Sequence, residues 1–115
     1  MQGKKVIAHN GNVANAYTDT QMATGLLDYA HTLVHIINTN TSGDDGTVQY
    51  KVFVTPDSEQ SSIDWNARVS GQTITAGGTA IHKFTDAWDG VKVQLRNNAS
   101  GTVCQTKVYI TRKPR

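Results

Sequence analysis

Residues Thr32 to Asp57 constrain the fold of this chain most. Two runs of alternating apolar residues flank one polar turn: Thr32-Leu33-Val34-His35-Ile36-Ile37-Asn38 and Val48-Gln49-Tyr50-Lys51-Val52-Phe53-Val54. Between them, Ser42-Gly43 and Asp45-Gly46 supply the positive φ angles that a reversing chain needs. A period of two on both sides predicts antiparallel β-structure buried on one face.

The same grammar runs to the C-terminus. A short strand is predicted at Val6–Ala8, a first sandwich strand across Met22–Tyr29, and strands at 32–39 and 47–55. Ile63, Trp65, Ala67 and Val69 then alternate on one face, and Ser70-Gly71 turns the chain. Thr73–Ala76, Thr79–Phe84, Val91–Arg96 and Val103–Thr111 follow. Roughly seven or eight short strands at about 8–12-residue spacing predict an all-β fold, a single antiparallel two-sheet β-sandwich, Ig-like or jelly-roll-like. Val48, Tyr50, Val52, Val54, Trp65, Val91, Val93, Leu95, Val108 and Ile110 are expected inside.

The 115 residues suffice for one domain. Apolar residues make up 37%, below the ~45–50% usual for globular chains, which suits a thin sandwich with much solvated sheet rather than a large cavity. Residues 1–19 are rich in Asn and Gly and lack a period. They read as an extended N-terminal arm, loosely packed alone and ordered against a neighbour, with the sandwich domain at 20–115. Charge is split: residues 1–65 sum to −4 and residues 66–115 to +6. Such a split is mostly a matter of solvated strand faces. Its functional reading is electrostatic complementarity between neighbouring copies. Cys104 has no partner cysteine, so a disulfide framework is excluded and a buried, unreactive thiol is expected. The first residues carry no apolar run of the signal-peptide kind, and no apolar stretch reaches the ~18 residues of a membrane span.

Few residue patterns point to chemistry. His31 and His35 are four apart, but on a strand that places them about 13 Å apart at ~3.3 Å per residue, too far for one metal. His82, on a face with Ala80 and Phe84, reads as an inward, hydrogen-bonded histidine. Asp44-Asp45-Gly46 reads as a turn, since a calcium loop needs more oxygen ligands and a distal Glu. Asp57, Glu59 and Asp64 have no neighbours resembling a glycosidase site. There is no Gly-x-Ser-x-Gly elbow, and Ala76-Gly77-Gly78-Thr79 joins two β segments as a turn rather than a phosphate loop. No catalytic residue, metal or cofactor is predicted. Trp88, in a loop before a strand, either plugs the sandwich end or projects into a partner. The candidate assembly interface is Val6, Ile7, Ala8, Val13, Tyr17 and Trp88. Val6-Ile7-Ala8 is the segment that could be added to a neighbour's sheet edge.

Residues 24–115 resemble a family of small β-sandwich domains found in bacteriophage structural proteins and related bacterial proteins. The resemblance rests on Thr24-Gly25-Leu26-Leu27-Asp28-Tyr29 before His35-Ile36-Ile37-Asn38-Thr39, and on Val48 to Asp57 followed by Asp64-Trp65. It extends through Thr73 to Thr79, Phe84-Thr85-Asp86-Ala87-Trp88, Val91 to Leu95, Gly101-Thr102-Val103 and Val108-Tyr109-Ile110. The family usually has Gly in the turn after the aspartate at position 57, where this chain has Ser58-Glu59-Gln60. The resemblance implies a virion component, synthesised in the host cytoplasm: a capsid decoration or cement protein, or a tail or fibre module. Its partners would be copies of itself and a major capsid or tail protein.

A non-enzymatic assembly module therefore leads. A carbohydrate-binding module is the alternative, taking a surface glycan on exposed Trp and Tyr. Nucleic-acid binding lacks a dense basic patch with interleaved aromatics.

Overall fold

The computed structural model describes residues 4–14, 16–26, 29–39, 47–85, 88–97 and 105–114, with only the backbone at 4, 29, 30 and 114. Its strands are β1 (Lys4–Asn12), β2 (Thr18–Asp19), β3 (Tyr29–Asn38), β4 (Val48–Thr55), β5 (Asn66–Ile74), β6 (Thr79–Phe84), β7 (Gly90–Asn97) and β8 (Gln105–Pro114). They form two antiparallel sheets of four: a first sheet ordered β1-β8-β3-β6 and a second ordered β2-β7-β4-β5.

The pairing is nested. β1 pairs β8, β2 pairs β7, β3 pairs β6 and β4 pairs β5. This is one long hairpin, bent at residues 56–65 and rolled so that β3 meets β8 and β4 meets β7. That order is a jelly roll, and it selects between the two sandwich types that strand spacing left open.

The two central strands of the second sheet carry the plainest alternation. Val48, Tyr50, Val52 and Val54 of β4 and Val91, Val93 and Leu95 of β7 are buried, with partly exposed residues between them. They meet Val34 and Ile36 of β3 and Val108 and Ile110 of β8, all fully buried, in the core between the sheets. Leu26 closes one end of this core. At the other end Asn38 is fully buried. Its side-chain amide donates to the Ile74 carbonyl at 3.1 Å, and its backbone bonds the turn at Gly77 and Gly78. Gly77 holds φ 77°, and a Cβ on Gly78 would lie 3.0 Å from the Thr75 carbonyl oxygen. The Ala76-Gly77-Gly78-Thr79 segment is thus the turn expected, tied to β3.

Four expectations are corrected. The described part of residues 1–19 is not a free arm. β1 pairs along its length with β8 of the same chain, β2 pairs with β7, and Ala8 and Val13 enter the core. The boundary expected after residue 19 therefore falls inside the sandwich. A register shift between Ile7 and His9 interrupts the period of two and hides this strand from a pattern reading. Second, Ser70-Gly71 does not turn the chain. β5 runs through it as an edge strand, and Gly71 at φ 66° lies within a shift of register against Tyr50 and Val52. Third, Trp65 precedes β5 and is half-buried outside the core, with the Lys92 ammonium 4.8 Å from its ring centroid. Fourth, in place of the first strand expected across Met22–Tyr29, the described residues 22–26 make only a single bridge from Ala23 to Val91, and Tyr29 opens β3. Cys104, the Asp44-Asp45-Gly46 turn and the start of the last predicted strand at Val103 lie outside the described residues.

Candidate assembly surface

The strands of the first sheet contain Lys4, Lys5, Lys83, Lys107, Arg112 and Lys113, and no Asp or Glu. Their register aligns a row across the whole outer face. Ile7 pairs with Tyr109, Tyr109 with His35, and His35 with Ile81. Ile7 is 56% exposed and Ile81 58% exposed, at opposite edges of the sheet. The row on one side is Lys5, Thr111, Leu33 and Lys83; on the other it is Asn10, Lys107, Ile37 and Thr79. The centre of this face is apolar and aromatic, with ammonium groups around it. The Lys5 ammonium sits 4.5 Å from the Tyr109 ring centroid, and the His35 and Tyr109 rings lie 6.4 Å apart.

A depression of about 240 Å³ opens on the same face, lined by His31, Leu33, Lys83, Thr111 and Lys113. The Nδ1 of His31 is buried with no hydrogen-bond partner among the described residues. Leu33 gives the depression an apolar floor, and the two lysines make its field positive.

The described acidic side chains lie elsewhere. Asp57, Glu59 and Asp64 are exposed in the bend between β4 and β5, and among the described residues none forms an ion pair. The bend is pinned. Asp89 accepts from the Ser58 backbone N–H at 2.8 Å and from its hydroxyl at 2.5 Å. Those bonds from Ser58 hold the Asp89 carboxyl below the usual aspartate range. The Glu59 N–H donates to Asp57 at 3.0 Å.

The outer side of the second sheet is a ladder of rings and cations. Lys51 lies 4.2 Å from the Tyr17 ring centroid, Arg96 5.8 Å from it, and Lys92 5.5 Å from Phe53. Asp19 accepts from Gln94 at 2.9 Å and from Lys92 at 3.1 Å, and these bonds lower its pKa.

The predicted interface residues do not converge. Ile7 is on the outer face of the first sheet, and Val6 beside it is half-buried. Ala8 and Val13 are inside the fold, and Tyr17 lies against the second sheet. Trp88 packs against the core with the Arg68 guanidinium 5.5 Å from its ring, so it plugs the sandwich. Sequence reasoning missed Leu33, His35, Ile37, Ile81 and Tyr109. One signal was available: β3 is apolar in both phases, Val34 and Ile36 inward and Leu33 and Ile37 outward, unusual for an antiparallel strand with one solvated face.

His82 points inward, as its phase suggested. Its Nε2 lies 2.6 Å from the Tyr50 hydroxyl, joining β6 of one sheet to β4 of the other. Burial lowers the His82 pKa and raises that of Tyr50, which favours the neutral forms of both partners in this bond. No group of three or more His, Cys, Asp or Glu suited to a metal occurs among the described residues, and no helix there is long and apolar enough to cross a membrane.

No family model matches the chain, and no curated protein matches its sequence. Solved structures do match its fold. The PBSX exported protein XepA superimposes with a TM-score of 0.67 at 8% identity, over 97% of this chain and 37% of that one. The SPBc2 prophage-derived protein YomS gives 0.57 at 12% identity, over 96% and 91% of the two chains. VP2 of the infectious bursal disease virus subviral particle gives 0.53 at 10% identity, over 98% and 32%. This chain spans about a third of XepA and of VP2, and nearly all of YomS. At these identities the likeness is one of fold: the chain is a β-sandwich resembling phage-derived and viral particle proteins.

Proposed function

We propose that this chain is a non-enzymatic structural assembly protein, and specifically a phage virion component such as a capsid decoration or cement protein or a tail or fibre module. One observation carries the reading. The outer face of the first sheet presents an apolar row with Ile7 and Ile81 more than half exposed, ringed by lysines, on strands that contain no Asp or Glu. A contiguous apolar face with a polar rim is the anatomy of a protein-binding surface. The fold shared with prophage-derived and viral particle proteins supports the same direction. The partners are copies of this chain and a virion protein such as the major capsid or tail protein, and the working location is the virion. Mass spectrometry of gradient-purified phage particles from the producing strain tests this. The chain is expected in the particles at a fixed ratio to the major structural protein. Its confinement to the soluble fraction would overturn the proposal.

A carbohydrate-binding module is the second reading. The observation favouring it is the set of rings of Tyr17, Phe53 and Trp65 on the outer side of the second sheet. Each ring already faces a cation, which a sugar would have to displace. Quenching of tryptophan fluorescence by a glycan panel decides it: saturable quenching supports the module, and a flat response removes it.

A further inference from the structure

Among the described residues, two surface features carry opposite charge. The depression formed by His31, Leu33, Lys83, Thr111 and Lys113 is cationic with an apolar floor. The bend at residues 56–65 carries Asp57, Glu59 and Asp64 around Ile63 and contains no Lys or Arg. Each is the electrostatic complement of the other, and within one chain no ion pair joins them.

The two features share one end of the sandwich. Thr55, the last residue of β4, pairs with Gly90, the first of β7. Residues 85–89 lead from there to Phe84, which pairs with Thr32 of β3, and His31 beside it pairs with Lys113. Bend and depression therefore sit on opposite layers of the same end.

We infer that the depression receives the acidic bend of a second copy of this chain, and that the contact is made twice in a two-fold dimer. This rests on the reading of the outer face as an assembly surface. The alternative two-fold contact, first sheet against first sheet, would bring lysine against lysine and is disfavoured by repulsion. In the reciprocal arrangement each copy offers carboxylates to the other's lysines, the pairing that a two-fold axis requires. The bend is preorganised for this by Ser58, Asp57 and Asp89, so little ordering remains to be done on binding.

Charge reversal with light scattering tests the inference. Lys83→Glu/Lys113→Glu makes an acidic face beside an acidic bend. Asp57→Lys/Glu59→Lys/Asp64→Lys makes a basic bend beside a basic face. Wild type should move, with rising concentration, from the mass of one 12.5 kDa chain to twice that. Each variant alone should weaken association at least tenfold, and an equimolar mixture of the two should restore it as a heterodimer. At about 1 M salt, where the screening length falls to about 3 Å, the wild-type dimer should dissociate. Wild type that stays monomeric at every concentration overturns the inference, as does a variant that still dimerises alone or a mixture that does not pair. Lys83 is an exposed edge position, so Lys83→Glu alone serves with the same reading if a multiple variant fails to fold. A monomer that is still found in gradient-purified particles would sink this contact and leave the proposed function standing.

Discussion

Tyr50→Phe removes one oxygen from the bond between the two sheets. The hydroxyl lies 2.6 Å from His82 Nε2, and Tyr50 is only 4% exposed. Deleting it takes away a hydrogen bond worth ~0.5–1.5 kcal/mol net and leaves the imidazole nitrogen short of its partner, a further penalty within the ~1–3 kcal/mol range. His82 is half-buried, so water relieves part of that penalty, and the expected loss is about 1–2 kcal/mol. For a domain this size each kcal/mol lowers the melting temperature by about 4 °C. The companion His82→Leu removes the other partner. Tyr50→Phe/His82→Leu lacks both polar groups and should cost clearly less than the sum of the singles, with a coupling of about 1 kcal/mol. pH gives an independent sign. Burial holds the folded-state pKa of His82 below 6.5. Between that lowered value and 6.5 the unfolded chain binds more protons than the folded one. This contribution is therefore present above pH ~6.5 and lost as the pH falls through the folded pKa. Urea titrations at several pH values between neutral and mildly acidic measure all of this. Strictly additive single costs, or a His82→Leu variant as acid-sensitive as wild type, would refute the reasoning.

Further outcomes follow from burial and pairing. Ile110→Ala, at a fully buried site in β8, should cost about 2–5 kcal/mol, whereas Ile81→Ala, on the exposed face, should stay within about 0.5 kcal/mol. Equal urea midpoints for the two would invert the assignment of inner and outer faces. Deleting residues 2–12 removes β1, strips the β8 edge and uncovers core beside Ala8. Against a total stability of ~5–15 kcal/mol, the truncated chain should lose its cooperative thermal transition. An unchanged transition would restore the reading of this segment as a dispensable arm.

The strands that the sequence marks plainly are those buried on one face and unbroken. β4 and β7 alternate without a shift against each other, so the side-chain period survives intact in the chain. β1 and β5 lie at sheet edges and carry register shifts, so each breaks its own period. Pattern reading turned one into an arm and split the other at Gly71. The phase of β5 does not extend backwards to Trp65, which lies in a loop where no pleat enforces it. The outer face is harder still. Ile7, His35, Ile81 and Tyr109 are neighbours only through the register of four strands distant in sequence, and no local spacing encodes that row. The doubly apolar β3 was the local trace of it. The acidic bend was visible as composition, while the cationic face opposite required the rolled topology that gathers β6 and β8 beside β3.

The central claim is that the outer face of the first sheet is the surface by which this chain joins an assembly. Co-sedimentation of purified protein with gradient-purified phage particles lacking the chain tests it most directly, comparing wild type with Ile7→Glu/Ile81→Glu. Both positions are more than half exposed, so each substitution should cost within about 0.5 kcal/mol and the melting temperature should barely move. The account predicts saturable binding by wild type and its loss in the folded variant, because two carboxylates then stand in the apolar row. Equal binding by the two proteins would contradict it.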